Sequence, residues 1–280
     1  MQLTELQTFL AIIDTGSLVK ASKQLNVTQS TVTARLKSLE DELGQTLIIR
    51  QKSGASLTGA GERLRRYAGT ISDLWRQARQ EISLPDTMSV VCNICCHADL
   101  WPKLGSDLFE YIRKNYPQVA ISIWLGSEAE MARWLNDGLS DVSLTFSPSA
   151  SQTQVSQSIT TDKLVLVSTS SDFPVKHDPG YVFVEAGEEF GMAHAVAYAD
   201  AGSSRISFGN AQLGLEYIVR QGGSAYLPER LTSSHLEAGK LYRNADAPEF
   251  EREVFMLANR AAISSWPWFE DVENFFKNHR

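Results

Sequence analysis

Residues 17–39 contain two short amphipathic segments joined by a brief polar turn, with the sequence SLVKASKQLNVTQSTVTARLKSL. Ser17 and Thr28 are residue types that cap helix N-termini, and Asn26 tolerates the left-handed backbone that ends a helix. Ala21 is small enough for the first helix to approach the second closely. The spacing therefore predicts a helix-turn-helix, with one helix starting after Ser17 and the other after Thr28.

The flanking residues extend this motif to a small domain. A helix with a Thr4–Gln7 capping box is predicted before it, and Gly16 ends that helix. The helix after Thr28 ends at Gly44, and its predicted apolar face consists of Val32, Leu36, Leu39 and Leu43. The β-rich run 45–50 and a short strand ending at 57–58 then enclose the loop 51–55, which is typical of a wing-like hairpin. Residues 1–57 are therefore predicted to form a winged helix-turn-helix.

Polar and basic side chains cover the outward face of the helix after Thr28 and the wing. Gln pairs with adenine edges, Ser and Thr serve several bases, and Arg and Lys suit guanine or phosphate. The candidate DNA-contacting residues are Gln29, Ser30, Thr31, Thr33, Arg35, Lys37, Arg50 and Lys52. For one helix alone, a solvated face of a small stable domain would be the better interpretation. The order and spacing of all the elements favour double-stranded DNA as a partner, with the acidic run 40–42 turned away from it.

Charge is distributed unevenly along the 280 residues, whose formal net charge is −7. Residues 1–82 carry 11 Lys and Arg against 8 Asp and Glu, whereas residues 83–280 carry 15 against 25. Such asymmetry suggests one module that meets a polyanion and another that does not. The sequence has neither a signal-peptide pattern nor an apolar run of about 18 residues. We therefore predict a cytoplasmic protein with no membrane partner.

The N-terminal residues resemble the LysR-type transcriptional regulators. The resemblance rests on Ser17-Leu18-x-x-Ala21, Leu25-x-Val27-x-Gln29-Ser30-x-Val32-Thr33, Leu39-Glu40-x-x-Leu43-Gly44-x-x-Leu47, Arg50 and Leu57-Thr58-x-x-Gly61. It implies that Gln29 and Thr33 contact bases and that Arg50 and the wing contact the DNA backbone. Two departures from the family pattern, Ala34 and Ser53, remove potential contacts with DNA. Arg35, Lys37 and Lys52 could compensate from neighbouring positions.

Residues 58–82 are predicted to form one long helix with an apolar stripe at steps of three and four. The stripe consists of Leu64, Tyr67, Ile71, Leu74 or Trp75, Ala78 and Ile82. It either packs on its own domain or forms a coiled-coil seam with a second copy. The resemblance implies dimerisation through this linker helix, giving a homodimer or a tetramer on successive half-sites. Residues 83–86 contain a proline and are predicted to be a hinge.

Apolar β-rich runs alternate with helical patterns in residues 87–280, which predicts an α/β fold. The polar stretch 147–161 divides it into lobe I, about 87–160 plus the C-terminal strand and helix, and lobe II, about 161–252. The resemblance implies a two-lobed effector-binding domain of the periplasmic-binding-protein type. Its recurring Gly-containing segment is similar to residues 221–228, QGGSAYLP. The whole chain is thus predicted to be mixed in class, with a winged helix-turn-helix, a linker helix and a two-lobed α/β domain.

A cleft between two such lobes binds ligands at strand ends and helix N-termini. Polar residues at such positions are the ligand-binding candidates, and each could instead cap a helix or fill the core. They are Cys95, Cys96, His97, Ser127, Thr145, Ser147, Ser203 and Ser204. The cluster of Cys92, Cys95 and Cys96 also raises metal or redox sensing, but no second ligand pair lies at zinc-site spacing. Core packing is therefore the favoured interpretation of the cysteines, and no metal or other cofactor is predicted.

Two other function classes compete with a ligand-responsive regulator. One is an enzyme in which His97 or His194 activates a nearby Ser or Cys, but the sequence lacks a nucleophile elbow, a phosphate loop and a zinc-protease motif. The other is an architectural DNA-binding protein that takes no effector. We predict a sequence-specific transcription regulator that is not an enzyme, binds a small-molecule effector and has RNA polymerase as a further candidate partner.

Overall fold

The computed structural model of the chain describes residues 2–51, 54–85, 87–88, 90–148, 150–176, 178–200, 202, 204–263, 266 and 269–278. Its contacts divide the chain into two compact units, residues 1–85 and 86–280. Lys52, Ser203 and the hinge residue Asp86, named above, lie outside the described residues. Among the described residues, no helix is long and apolar enough to cross a membrane.

The first unit contains three short helices, a hairpin and a long helix. Their bounds are α1 (Leu3–Thr15), α2 (Leu18–Gln24), α3 (Gln29–Leu43), β1 (Ile48–Gln51), β2 (Gly54–Leu57) and α4 (Gly59–Ile82). The Ser17, Thr28 and Thr58 hydroxyls cap α2, α3 and α4. Asn26 has φ 53°, and the glycines after α1 and α3 are also left-handed. The predicted winged helix-turn-helix is confirmed, because local capping fixes where each helix begins and ends.

Two details of the first unit differ from the prediction. The Thr4–Gln7 capping box is wrong, because α1 begins at Leu3 and the Glu5 carboxylate accepts from the Gln2 backbone N–H at 2.8 Å. That carboxylate also accepts from the Ser38 hydroxyl at 2.7 Å, which joins α1 to α3. These bonds lower the pKa of Glu5. Leu43 was predicted to lie on the apolar face of α3, but it is exposed because the last turn extends beyond the core.

The second unit alternates strands and helices along the chain. Its elements are β3 (Val90–His97), α5 (Ser106–Asn115), β4 (Val119–Gly126), α6 (Glu128–Asn136), β5 (Val142–Thr145), β6 (Gln154–Ser168), β7 (Phe183–Val184), α7 (Glu188–Ala197), β8 (Ser207–Phe208), α8 (Ala211–Gln221), β9 (Ser224–Pro228), α9 (Glu229–Glu237), β10 (Tyr242–Arg243), β11 (Phe250–Asn259), α10 (Arg260–Ile263) and α11 (Phe269–Asn278). The predicted α/β class is confirmed.

One large sheet runs through both lobes in the order β10-β6-β11-β5-β3-β4, and β9 also pairs with β6. The strands β3, β4 and β5 are parallel, whereas β11 is antiparallel to both β5 and β6. The ladder between β11 and β6 shifts register between Val254 and Phe255. The stretch 147–161 was predicted to be an aperiodic divider, but its second half belongs to the 15-residue strand β6. Cross-strand pairing over its full length overrides the weak local pattern there.

Each lobe has its own hydrophobic core. The core of lobe I combines β3 and β5 with the end of β11 and with Val272 and Phe276 of α11. Lobe II has two clusters, one under α8 and α9 and the other rich in aromatic side chains around Phe190, Tyr198 and Tyr226. The strands that carry the polar candidates therefore belong to lobe I, and their C-terminal ends face the crossing into lobe II.

Candidate nucleic-acid interface and ligand cleft

The N-terminal half of α3 presents a row of polar side chains opposite the buried Val32, Leu36 and Leu39. Ser30, Thr33 and Lys37 recur at steps of three and four, so they share this outward face, and Gln29 opens the first turn. Among the described residues, the side chains of Gln29, Thr33 and Lys37 make no hydrogen bond or ion pair within the chain. Polar groups left unpaired in this way can contact the edges of bases.

The remaining α3 candidates have different surroundings. The hydroxyls of Ser30 and Thr31 each lie 2.8 Å from the Thr28 hydroxyl, so the helix cap engages both. Arg35 is half-buried on the flank of α3 beside the core, away from the row of Ser30, Thr33 and Lys37. The structure therefore brings together Gln29, Ser30, Thr33 and Lys37 and sets Arg35 apart from them.

The wing is attached to the helices at three points. The Ala55 N–H donates to the Gly16 carbonyl at 2.8 Å, beside the turn between α1 and α2. One Glu40 carboxylate oxygen accepts from the Leu47 and Ile48 N–H groups, at 2.7 and 3.2 Å. The Thr58 hydroxyl donates to the Thr46 carbonyl at 2.7 Å. Glu40, the first residue of the acidic run, therefore supports the base of the wing, while the exposed Arg50 lies on β1 near the tip of the wing.

The apolar stripe of α4 divides into two parts. Leu64, Ala68 and Ile71 pack on the core of the first unit, so the interpretation that the stripe packs on its own domain holds for this half. Within this half, Tyr67 at the edge of the stripe is 61% exposed. Beyond Ile71 the stripe is exposed to solvent, with Leu74, Trp75 and Ile82 at 37%, 53% and 86% exposure. Exposed apolar side chains in a continuous row are characteristic of a protein interface.

The three cysteines lie in the interior of lobe I. Cys92 and Cys96 point into its main core from one face of β3, and Cys95 is equally buried on the other face. Burial raises the pKa of all three thiols, so they stay protonated and poorly reactive. The described residues contain no group of three or more His, Cys, Asp and Glu arranged to hold a metal ion. Cys95 and Cys96 were predicted to contact a ligand, but both have zero exposed surface and belong to the core.

Four other ligand candidates meet at the C-terminal edge of β3, β4 and β5. The Nδ1 atom of His97 accepts from the Asp99 N–H at 3.2 Å, and burial lowers the pKa of this imidazole. Thr145 is the last residue of β5 and Ser147 follows it, and Ser127 caps α6 through its hydroxyl. A cavity of about 220 Å³ adjoins Thr145 and Ser147 beside α6. The arrangement offers hydroxyl and imidazole groups at the place where an α/β sheet holds small molecules.

Three residues that sequence reasoning missed complete this edge. The Glu128 carboxylate accepts from the Thr145 hydroxyl and, at 2.9 Å, from the Phe146 N–H. The Arg252 guanidinium carbon lies 3.8 Å from the centre of the Phe146 ring, and the His97 ring packs edge-on against the same ring at 5.1 Å. Glu128 and Phe146 are each next in sequence to a predicted candidate. Arg252 lies on β11, far along the chain, and no local sequence signal points to it.

Buried charges join the two lobes beside this edge. Asp162 of β6 accepts from Arg230 Nε at 2.8 Å and from an Arg252 terminal nitrogen at 2.7 Å. Arg230 also donates to the Pro102 carbonyl at 2.7 Å and to the Asp99 carbonyl. The Asp99 carboxylate accepts from the Ala211 N–H at 2.8 Å and from the Asn210 side chain at 2.9 Å. Groups from both lobes and from both crossing strands are therefore connected in one network.

Ser204 lies at the other end of lobe II. Its hydroxyl donates to the Tyr181 carbonyl at 2.9 Å and accepts from the Phe183 N–H at 3.2 Å, before β7 and β8 begin. Ala186 and Asn210, each two residues after one of these parallel strands, contact Arg252 and Asp99 respectively. The structure thus separates Ser204 from His97, Ser127, Thr145 and Ser147.

A winged helix-turn-helix joined to a two-lobed α/β domain with a polar cleft defines a class of ligand-responsive DNA-binding regulators. The bacterial regulatory helix-turn-helix protein model of the LysR family matches residues 3–62, and the LysR substrate binding domain model matches residues 91–265. The chain therefore belongs to the LysR family of transcriptional regulators. The competing enzyme hypothesis is wrong, because this is a family of regulators.

Individual relatives agree with this assignment. The transcriptional regulator HdfR of Yersinia enterocolitica is 26% identical over 263 residues, which cover 90% of this chain and 88% of HdfR. CbnR, a LysR family transcriptional regulator, shares the fold with a TM-score of 0.70 at 15% identity over 100% of this chain and 98% of CbnR. Vibrio fischeri DarR, solved in complex with DNA, has a TM-score of 0.60 at 19% identity over 99% of this chain and 98% of DarR.

Proposed function

We propose that this regulator reads specific operator sequences through the N-terminal half of α3. The observation that carries the proposal is the outward row of Ser30, Thr33 and Lys37, with Gln29 in the first turn of the same helix. Most of these side chains make no hydrogen bond among the described residues, and the wing lies beside the helix. A recognition helix enters the major groove with its N-terminal residues at the base edges, while the wing reaches the backbone. Selection of binding sites from random duplex DNA by the full chain tests the proposal. An enriched motif of two half-sites is the expected result, and no enrichment would refute it.

Gln29→Ala should reduce discrimination between the selected site and a site mutated at one base pair. A lost bidentate contact to an adenine costs about 1–3 kcal/mol of specificity. The ratio of the two dissociation constants, measured by fluorescence anisotropy at fixed salt, should therefore fall about five- to 150-fold. Gln45→Ala removes another exposed glutamine, beyond the far end of α3, and should leave the ratio unchanged. An unchanged ratio in Gln29→Ala would contradict the role proposed for this residue.

Arg50→Ala should weaken binding to every sequence by a similar factor. An exposed arginine on the wing is positioned for phosphate, which carries no sequence information but releases counterions on binding. The slope of log Kd against log salt concentration should fall by about 1, as expected for the loss of one phosphate contact, and the specificity ratio should stay constant. A changed ratio with an unchanged salt slope would instead indicate that Arg50 reads bases.

The exposed half of the α4 stripe supports a homodimer whose two α3 helices lie on successive half-sites. Trp75→Glu should weaken self-association by about 2 kcal/mol or more, as for a buried aromatic at an interface centre. Gln80→Glu, which adds the same charge to the polar face of the same helix, is the matched control. Light scattering after size exclusion measures both variants across a concentration series. Equal dimer stability in the two variants would show that the stripe is not the interface. A tetramer, if it forms, would be an assembly of two dimers paired through α4.

We infer further that a small-molecule effector binds where β3 and β5 end, in contact with His97, Ser127, Thr145 and Ser147. The substrate-binding domain match to residues 91–265 supports a ligand at this unit. A thermal-shift screen of the full chain against metabolites tests this inference. A metabolite that raises the melting temperature of the wild type should not raise that of Thr145→Val. It should still raise that of the control Thr153→Val, whose substitution lies on an exposed loop. A shift equal in both variants would place the ligand elsewhere. RNA polymerase is the partner through which such a regulator would act on transcription.

A further inference from the structure

Lobe II contains a second cavity, of about 900 Å³, which is separate from the strand ends where the effector site is proposed. It lies near Ser204, at the N-terminal end of β7 and β8. The described residues that line it come from positions 175, 176, 178 and 179, from α7, and from positions 202, 204 and 205 before β8. Small-molecule sites in proteins are concave, have volumes of about 300–1,000 Å³ and combine aromatic walls with a few polar groups. Its size and position alone make this cavity a candidate for a second ligand.

Aromatic rings form the inner wall of this cavity. The His194 ring lies parallel to the Tyr198 ring, with centroids 4.7 Å apart, and to the Tyr181 ring at 5.7 Å. Phe183 and Phe190 approach the same imidazole from other sides, each at 5.4 Å. A wall of closely packed flat rings is complementary to a planar apolar ligand, because offset stacking adds to the burial of area.

The polar atoms of this wall have defined hydrogen-bonding roles. The Tyr226 O–H donates to the Pro248 carbonyl at 2.8 Å, so the Tyr198 O–H must donate to the Tyr226 oxygen at 2.6 Å. The Tyr181 hydroxyl pairs with His194 Nε2 at 2.8 Å. Burial lowers the pKa of His194 and raises that of Tyr181, so this pair is uncharged near neutral pH. The inner wall is therefore neutral and rigid.

The charged residues among the described lining of the cavity are Lys176, Asp178 and Arg205. Lys176 is paired with Asp200 at 2.8 Å, and the Asp178 carboxylate accepts from the Gly180 N–H at 2.8 Å and from the Ser224 hydroxyl. Arg205 also lines the cavity, and among the described residues it forms no ion pair or side-chain hydrogen bond. The unpaired Arg205 cation favours an anionic group, and the planar guanidinium matches the geometry of a carboxylate.

We propose that this cavity is a second binding site, for a planar aromatic carboxylate whose ring packs against the wall of Tyr181, His194 and Tyr198 and whose carboxylate pairs with Arg205. The site is distinct from the effector cleft proposed above and does not depend on it, because none of the residues His97, Ser127, Thr145 and Ser147 lines it.

Ligand-observed fluorine NMR with 4-fluorobenzoate and the full chain tests the proposal. Arg205→Ala should weaken binding about three- to fivefold, since Arg205 is exposed and its ion pair is partly screened. Arg220→Ala removes an exposed arginine that does not line the cavity and should have no effect. Ala195→Trp fills the cavity from the exposed side of α7 and should weaken binding more than tenfold, whereas Ala193→Trp on the same helix should not.

Several results would overturn the proposal. No detectable binding of 4-fluorobenzoate at millimolar concentration would exclude the site. Equal binding to Ala195→Trp and Ala193→Trp would place the probe outside the cavity, including in the effector cleft. Equal affinity for the uncharged 4-fluorobenzamide would show that Arg205 does not pair with the carboxylate of the ligand, and it would contradict the proposal that the site selects carboxylates. Since Ala195 and Arg205 are both exposed, loss of folding is not a competing explanation, and circular dichroism of each variant verifies this.

Discussion

Asp162→Asn should lower the free energy of unfolding of the second unit by about 3–5 kcal/mol. The Asp162 side chain is only 1% exposed and neutralises two guanidiniums, those of Arg230 and Arg252, whose side chains are themselves mostly buried. An amide of the same shape leaves two buried cations without a counter-charge, and the cost of that desolvation far exceeds one hydrogen bond. Because Arg230 also donates to lobe I, the contact between lobes should weaken with it.

Urea unfolding followed by tryptophan fluorescence measures this effect, because five of the six tryptophans lie in residues 86–280. Glu249→Gln is the matched control: Glu249 also contacts two cations, Lys163 and Arg243, but at the surface. Exposed pairs contribute about 0–1 kcal/mol, so the control should unfold close to the wild type. If Asp162→Asn lowered the free energy of unfolding no more than Glu249→Gln does, the network around Asp162 would have to be solvated rather than buried.

Gly61→Ala should destabilise the first unit by about 3 kcal/mol, the upper range for forcing extra atoms into a packed site. A Cβ at position 61 would lie 2.2 Å from the Leu47 carbonyl oxygen and 2.8 Å from Leu57 Cδ2. The obstacle is backbone at the base of the wing, so α4 or the wing has to move. DNA affinity should fall as well, because the wing would no longer keep its position beside α3.

Gly69→Ala provides the comparison within the same helix, because a Cβ there meets nothing within 4 Å. Alanine is a better helix former than glycine, so this variant should gain about 0.5–1 kcal/mol. Thermal melts by circular dichroism, together with anisotropy on the selected operator, measure both variants. Equal melting temperatures for the two would contradict the close approach of α4 to the wing.

Local chemistry explains why the first unit was predictable from sequence. Ser17 and Thr28 act within three residues of themselves, and Asn26 adopts the left-handed conformation that its side chain tolerates. The Thr4–Gln7 box failed because Glu5 offered a competing carboxylate that also bonds to Ser38, 33 residues away. The prediction for Leu43 failed because the apolar periodicity of the sequence continues to the end of the helix, even where the core beneath the helix has ended.

The cleft was only partly predictable, because its groups come from distant parts of the chain. Thr145 and His97 could be placed at strand ends, since parallel strands bring their C-terminal ends to one edge. Arg252 and Asp162 meet only because β6 and β11 cross beside each other, and no spacing in the sequence carries that pairing. Cys95 and Cys96 illustrate the opposite error: residues one or two positions before a strand end can point into the interior on either face of the sheet.

The crossing of β6 and β11 also determines the order in which the protein can fold during synthesis. Lobe II is made of one continuous run of chain, whereas the core of lobe I requires Val254, Met256 and Ala258 of β11 and then α11. Lobe I can therefore close only after the chain has been synthesised through α11, and until then β5 lacks its β11 neighbour and has an unpaired edge. Long-range pairing of this kind is slow and exposes strand edges to aggregation. Premature termination near residue 250 would release a DNA-reading unit attached to an incomplete, aggregation-prone sheet.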